Sequence, residues 1–353
     1  MRNSWLEISL SRLHENVLSI QKGLNPSTHI IAVVKANAYG HGLEVISKSL
    51  FDCGISSFAV ATLDEAINLR QSIPKCKILV LQGCLRGDEK VFRKYQLTAA
   101  LHDLQHIPEN IKIEIKINTG MNRLGIPWKE ARKEIKKIDN EVTGLYSHFA
   151  SSDDDPDFTR LQLERFENAT AGLPYTRHIS NSAGLQFPEA NLDAVRLGLL
   201  LYGIPPSPLL EFVNPILSWK TRILALQNVS KGQSIGYGRT FVAPRNSLIG
   251  VLPVGYADGY KQLFSRGGQV RVQNHLAPVV GLVSMDLISI DLTSIPNVSV
   301  GQEVILLENT HDSPLSVSTY AKTLGITPYE ILTAIGDRIK RVYVAAGPHT
   351  ITT

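Results

Sequence analysis

Residues 30–50 read IIAVVKANAYGHGLEVISKSL: an apolar run, a lysine, a turn of small and glycine residues, then an amphipathic segment. The run 30–34 has the length and β-branched content of a buried strand. Residues 43–50 put Val45, Ile46 and Leu50 on one helical face. Strand, turn and helix in that order make one unit of a parallel sheet. Lys35 stands at the carboxyl end of the strand, which in a closed barrel is where functional side chains gather. Apolar walls there would disfavour the ammonium form and make the amine a better nucleophile toward an aldehyde. The bland alternative is a strand-end lysine pointing into water, with Gly40 and Gly42 simply forming a turn.

Outward from this stretch the alternation repeats. Strands are expected at 58–61, 78–81, 98–101, 111–117, 142–148, 177–179 and 195–197. A helix over 63–70 has Leu63, Ala66, Ile67 and Leu69 as its apolar residues, and the acidic run 153–157 starts another over 158–171. About eight such units close a (β/α)8 barrel. An open doubly wound sheet alternates in the same way, but no GxGxxG follows the first strand. The pattern changes near Asn214-Pro215. Leu217, Trp219, Thr221, Ile223 and Ala225 alternate with other residues, and turn signals at Lys231-Gly232 and Arg266-Gly267-Gly268 separate β-rich runs at 247–254, 269–272, 278–283 and 303–307. Short helices are expected at 317–324 and 328–334. The predicted fold class is therefore α/β. A TIM-type (β/α)8 barrel over 9–216 precedes a mostly-β domain over 217–353, which the alternating strand within 1–8 joins.

Composition narrows the function. Of 353 residues, 43% are hydrophobic and 19% charged, as in a globular protein with a substantial core. The net charge of +4 is spread out, with no Lys/Arg block of the kind that binds nucleic acid. Cys53, Cys76 and Cys84 lack the spacing of a disulfide framework or a metal site and fit a reducing compartment. Residues 1–14 lack the apolar core of a signal peptide, and no apolar run approaches the roughly 20 residues that span a bilayer. A cytoplasmic protein acting on a small molecule, with no nucleic-acid or membrane partner, is expected.

Seven segments occur in a recognisable order. They are 33–42 (VVKANAYGHG), 116–125 (KINTGMNRLG), Ser147-His148-Phe149-Ala150, Asn181-Ser182-Ala183, Val195-Arg196-Leu197-Gly198, Gly255-Tyr256-Ala257-Asp258-Gly259 and Ser284-Met285-Asp286. Through them nearly the whole chain resembles the alanine racemase family. The resemblance implies a barrel that binds pyridoxal 5′-phosphate, a following β domain, and the interconversion of L- and D-alanine by two-base proton transfer, supplying D-alanine for peptidoglycan.

The resemblance also implies roles. Lys35 would carry the cofactor covalently and then act as base or acid on one face of the amino acid's Cα. Tyr256 would be the proton carrier on the opposite face; from the residues alone it could equally be a buried aromatic with a satisfied hydroxyl. In the family this tyrosine reaches the partner subunit's site, which implies a homodimer with shared active sites. Arg196 would donate to the pyridine nitrogen and, unable to give up its proton, leave the ring a weaker electron sink; an ion pair with Asp193 is the alternative. Asn181, Ser182, Gly198 and Leu199 follow the seventh and eighth expected strands, where barrels often hold phosphate, and Tyr39 would add a hydroxyl. His148 would stack on or hydrogen-bond near the cofactor ring, and Arg123 would contact its phenolic oxygen and the substrate carboxylate. Lys116 would lie beside Arg123; in the family this lysine is sometimes carbamylated to orient the arginine, and since a charged lysine inside an apolar strand is costly, the modification is chemically reasonable here. Met285 of the partner subunit would hold the substrate carboxylate through its backbone, and Asp286 would shape the entrance. A tyrosine that the family often carries near the carboxyl end has no counterpart in Ile335-Gly336-Asp337-Arg338. The alternatives are a serine or broad-specificity racemase, a decarboxylase on related architecture, and a non-catalytic PLP-carrier protein. ANAYGHG and the segment around Tyr256 oppose the decarboxylase, and the second domain opposes the carrier.

Overall fold

In the computed structural model the described residues are 3–344, with the backbone of 350–352. The chain divides into one unit spanning Leu13–Val213 and another formed by Met1–Arg12 with Asn214–Thr353. After strand β1 (Ser4–Ser9), helix α1 (Leu10–Lys22) buries Leu13, Asn16, Val17 and Ile20, the spacing of one helical stripe. The elements that follow are β2 (His29–Val33), the short α2 (Lys35–Tyr39), α3 (Leu43–Asp52), β3 (Ser57–Val60), α4 (Leu63–Ser72), β4 (Lys77–Val80), α5 (Glu89–Lys94) and β5 (Thr98–Leu101). They continue with β6 (Lys112–Asn118), the two-residue β7 (Ile126–Pro127), α6 (Trp128–Ile135), β8 (Val142–Tyr146), α7 (Pro156–Thr170), β9 (Thr176–His178) and β10 (Ala194–Leu197).

The barrel strands run β10-β2-β3-β4-β5-β6-β8-β9, all parallel. Hydrogen bonds from Arg196 N–H to the Ser180 carbonyl (3.0 Å) and from Asp193 N–H to the Arg177 carbonyl (3.1 Å) draw the two ends of this order together. Strands such as β10 are buried at every residue, because side chains fill the barrel inside while helices cover it outside. The strand–helix alternation is not complete. Residues 102–111 connect β5 to β6 without a helix, and two 3-10 turns, Ala183–Gln186 and Pro188–Ala190, stand between β9 and β10. The stretch 102–111 contains Pro108 and two acidic residues, Asp103 and Glu109, and lacks a helical apolar stripe.

The other unit contains β11 (Leu217–Arg222), β12 (Ala225–Val229), β13 (Ser234–Ile235), β14 (Phe241–Val242), β15 (Ser247–Leu252), β16 (Gln269–Val272), β17 (His275–Val280), β18 (Ile288–Asp291), β19 (Glu303–Leu307), α8 (Val317–Leu324), α9 (Pro328–Leu332), β20 (Lys340–Val344) and β21 (Thr350–Thr352). Its main sheet runs β12-β15-β18-β17-β16-β19-β11-β1-β20-β21, and β13 pairs with β14. Strand β1 lies antiparallel to β11 and parallel to β20. The core of this unit is mostly aliphatic, with an aromatic cluster inside it. Trp219 meets Tyr260 edge-on at 5.9 Å, and Tyr260 stacks on Phe264 at 4.4 Å. The Trp219 indole N–H donates to Ser4 Oγ (2.9 Å), so its burial leaves the donor paired. No helix among the described residues is long and apolar enough to cross a membrane.

Candidate active site

Strand β2 ends where Val34 N–H still donates to the Ala59 carbonyl of the neighbouring strand, so Lys35 leaves a fully paired edge. Beyond it the backbone reverses hand. Ala36, Asn37, Ala38 and Tyr39 have φ of 52°, 54°, 51° and 53°, a left-handed turn built without glycine. Such a conformation costs an L-residue roughly 1–2 kcal/mol. The turn is bonded throughout. Ala38 N–H donates to Val34 O (2.9 Å), Gly40 N–H to Ala36 O (3.0 Å), Gly42 N–H to Asn37 O (2.9 Å) and Leu43 N–H to Asn37 Oδ1 (2.7 Å). Ala36 N–H goes to the Glu65 carboxylate (2.7 Å). Packing braces it as well. His41 stacks on Tyr202 at 4.6 Å, Tyr39 meets the same ring at 5.2 Å, and the Tyr202 hydroxyl donates to Val33 O (3.1 Å). Strain that the surroundings over-determine in this way is a mark of functional sites.

The amine of Lys35 holds its proton less tightly than usual, chiefly through burial and secondly through the Arg123 guanidinium, with Glu65 opposing. Lys116, from β6, is buried and has its pKa lowered to about 8 by burial and then by Arg123, Arg196 and Lys35. The same four cations and, above all, its own burial hold His148 neutral, well below the ordinary imidazole range. Parallel strands bring all these groups to one end of the barrel. An end with so many cations favours an anionic ligand.

Arg196 is fully desolvated by its surroundings, yet its pKa, lowered by burial to about 10, leaves it charged at neutrality. Its Nη1 donates to His178 Nδ1 (2.6 Å) and His178 O (3.1 Å), and its Nη2 to Ser147 O (2.5 Å), Ile179 O (3.1 Å) and His148 Nδ1 (3.1 Å). Arginine only donates, so Nδ1 of both histidines must accept and each carries its proton on Nε2. His178 then donates from Nε2 to Glu114 (2.9 Å). The alternative partner, Asp193, instead accepts from Arg177 N–H (2.7 Å) and lies 3.7 Å from the Arg177 side chain.

The ends of β9 and β10 supply a small polar niche. Ser182 Oγ accepts from Gly198 N–H (3.1 Å) and Leu200 N–H (3.4 Å), and Leu199 is buried beside them. Asn181 Oδ1 takes Ser152 Oγ–H (2.9 Å) and Gly184 N–H (2.8 Å). A Cβ on Gly198 would lie 2.5 Å from the Tyr39 hydroxyl, so only glycine lets that hydroxyl stand against the backbone. Hydroxyls and N–H groups packed at this spacing suit a phosphate. With the Lys35 amine as nucleophile and the charged Arg196 at the same barrel end, the residues present fit pyridoxal phosphate. Arg123 sits on the loop after β6, which Asn118 shapes by accepting from Gly120 N–H and Asn122 N–H (3.1 Å each). Its side chain is exposed.

Tyr256, Met285 and Asp286 belong to the other unit and lie together there. Tyr256 N–H donates to Ser284 O (3.0 Å) and Ala257 N–H to Met285 O (3.1 Å). A Cβ on Gly255 would collide with the backbone of Ser284 and Met285, which is why the two segments can cross so closely. Arg338 spans them, bonding Asp286 at 2.6 Å and lying 3.6 Å from the fully buried Asp258. The backbone is thus braced while the Tyr256 and Met285 side chains remain 45% and 53% exposed.

Four residues of the barrel site were not read from the sequence: Glu65, Glu114, His178 and Tyr202. Glu65 carried a legible signal, since Thr62 and Glu65 have capping-box spacing. The other three sit inside strands or after the last one, where nothing local separates them from core residues.

The family descriptions "Alanine racemase, N-terminal domain" and "Alanine racemase, C-terminal domain" match residues 8–206 and 216–343. An alanine racemase of Halothermothrix orenii is 38% identical over 369 residues, covering 97% of each chain. One of Thermodesulfovibrio yellowstonii is 39% identical over 359 residues, covering 96% of this chain and 97% of that one. Among solved structures, an alanine racemase of Clostridium difficile 630 superposes with a TM-score of 0.92 at 28% identity, over 99% of this chain and 98% of that one. The Bacillus anthracis alanine racemase with bound L-Ala-P does so with a TM-score of 0.90 at 30% identity, over 100% and 98%. With both domains matched in order and relatives alike over nearly their full length, the chain belongs to the alanine racemase family.

Proposed function

We propose that this protein interconverts L- and D-alanine in the cytoplasm, using pyridoxal phosphate held on Lys35, and so supplies D-alanine for peptidoglycan. When bound, pyridoxal phosphate supplies an aldehyde for covalent capture of an amine and a ring that accepts electrons from the substrate Cα. Lys35 takes or returns the α-proton on one face, and an amine already biased toward its neutral form suits that task. The partner subunit's Tyr256 serves the other face, its backbone fixed and its side chain exposed in the single chain. A homodimer with shared sites follows from that assignment. Arg196 would donate to the ring nitrogen and keep its own proton. Tyr39, Asn181, Ser182, Gly198 and Leu199 hold the phosphate, and His148 lies against the ring. Arg123 and the backbone of the partner subunit's Met285 hold the substrate carboxylate, with Asp286 at the entrance. The neutral form of Lys116 adds carbon dioxide to give a carbamate and a proton, converting a crowded cation into an anion beside Arg123.

The observation that carries this reading is the Lys35 amine, its proton affinity lowered, at a strand end among cations and next to a glycine-floored niche of donors. The test is L-alanine in deuterated water with the PLP-loaded protein. Exchange of the α-hydrogen together with loss of optical rotation is expected, and a Lys35→Ala protein should lose the visible absorbance. A protein that binds PLP yet leaves alanine unexchanged would remove the activity, and faster exchange of serine in a parallel assay would move the substrate.

A further inference from the structure

We propose that Glu65 is a positioning residue: its carboxylate, held between the backbone N–H groups of Ala36, Ala61 and Thr62, fixes the left-handed turn that presents Lys35 and Tyr39 to the cofactor. The inference rests on the reading that PLP binds at Lys35. Glu65 Oε2 accepts from Ala61 N–H (2.8 Å) and Thr62 N–H (3.2 Å), while Glu65 N–H donates to Thr62 Oγ1 (3.3 Å). Those bonds start helix α4 in the usual reciprocal way. The bond from Ala36 N–H to Oε1, at 2.7 Å, has no part in starting that helix. It reaches across 29 residues to the first left-handed position of another loop. The backbone bonds of the turn run from Ala38 to Val34 and from Gly40 to Ala36, so the Ala36 N–H falls to Glu65.

Only a carboxylate can do both tasks. Its two oxygens both accept, and bonds from N–H groups to a charged acceptor are the stronger kind. A glutamine in the same place offers one oxygen and would turn its NH2 toward an N–H group. Asp would keep the charge and the helix start but stop one methylene short of Ala36. The turn carries two cofactor contacts, Lys35 at its start and Tyr39 at its end, so loosening it should act on cofactor binding as a whole. Helix capping alone would not do that.

The test compares the full-length wild type with Glu65→Gln, Glu65→Asp and Thr62→Ala. Thr62→Ala removes the other half of the cap and does not touch Ala36. Two quantities are read: the dissociation constant for PLP by visible absorbance, and amide hydrogen exchange of residues 36–42 in the cofactor-free chain. Both Glu65 variants should weaken PLP binding by at least about tenfold and speed exchange across 36–42, as loss of a charge-assisted bond implies. Thr62→Ala should lower the melting temperature and leave both readouts as in the wild type. Glu65→Asp carries the test alone if Glu65→Gln does not fold. Wild-type affinity and exchange in a folded Glu65 variant would overturn the proposal, as would Thr62→Ala moving both readouts equally. A wild type that never takes up PLP would sink the proposed function instead, while the exchange measurement would still judge the turn.

Discussion

Arg196 concentrates more hydrogen bonding than any other side chain of the site, with five acceptors on two nitrogens. A lysine there would have three donors on one atom and no planar fork to reach them. Arg196→Lys should therefore lower the unfolding free energy by about 2–4 kcal/mol, because buried acceptors go unmet; an unchanged denaturation midpoint would refute this. Lys116 leads to a prediction in pH. Its native pKa is about 8 against an ordinary 10.5, so the unfolded chain binds more protons between those values. Stability from this residue must then rise with pH from about 8 to 10.5, with its full cost present below 8. In carbon-dioxide-free buffer Lys116→Met should raise the neutral-pH melting temperature and flatten the slope across that window. Adding bicarbonate should stabilise the wild type alone if the carbamate forms.

Among the barrel elements, the turn α2 is the strained one, and α3, α4 and β3 pack against it. Glycine adopts its dihedral angles at no steric cost and keeps the N–H that Glu65 accepts. Ala36→Gly is thus expected to stabilise the protein by up to about 1 kcal/mol, read from chemical denaturation. Ala38→Val should do the reverse, since Ala38 is wholly buried and a branched Cβ fits poorly at a positive φ; a stable valine variant would show that the turn can be rebuilt right-handed. The strands around it are legible in the sequence, from Ile30 and Val33 in β2 to Val195 and Leu197 in β10, because burial on both faces leaves continuous apolar runs. Helices α5 and α6 are not, since each buries only one or two side chains, such as Phe92, or Ala131 and Ile135, under a charged surface.

For the whole molecule, the proposed sharing of Tyr256 between subunits makes a quantitative prediction. Lys35→Ala and Tyr256→Phe chains should each be inactive. Mixed by dissociation and reassociation, half of the dimers pair unlike chains, and each of those has one intact site. Activity should return to about a quarter of the wild-type value. A mixture as inactive as its components would mean that each chain completes its own site. The lysine-bearing and tyrosine-bearing segments lie in different units, and each unit has its own core. Alternation of period two after Leu217, against the strand–helix rhythm before it, made that change of architecture readable.

The order of strands and helices in the barrel, the β character of the chain beyond Leu217, and the motifs around Lys35 and Tyr256 follow from the linear order of side chains, because hydrophobic period and turn residues are local properties. The left-handed path of 36–39 and the Glu65 bond to Ala36 do not. Nor does the chain from Glu114 through His178 to Arg196, nor the contact that makes Gly198 necessary. Each depends on atoms far apart in the chain that meet only when the parallel strands close into a barrel, and no local propensity encodes such a meeting.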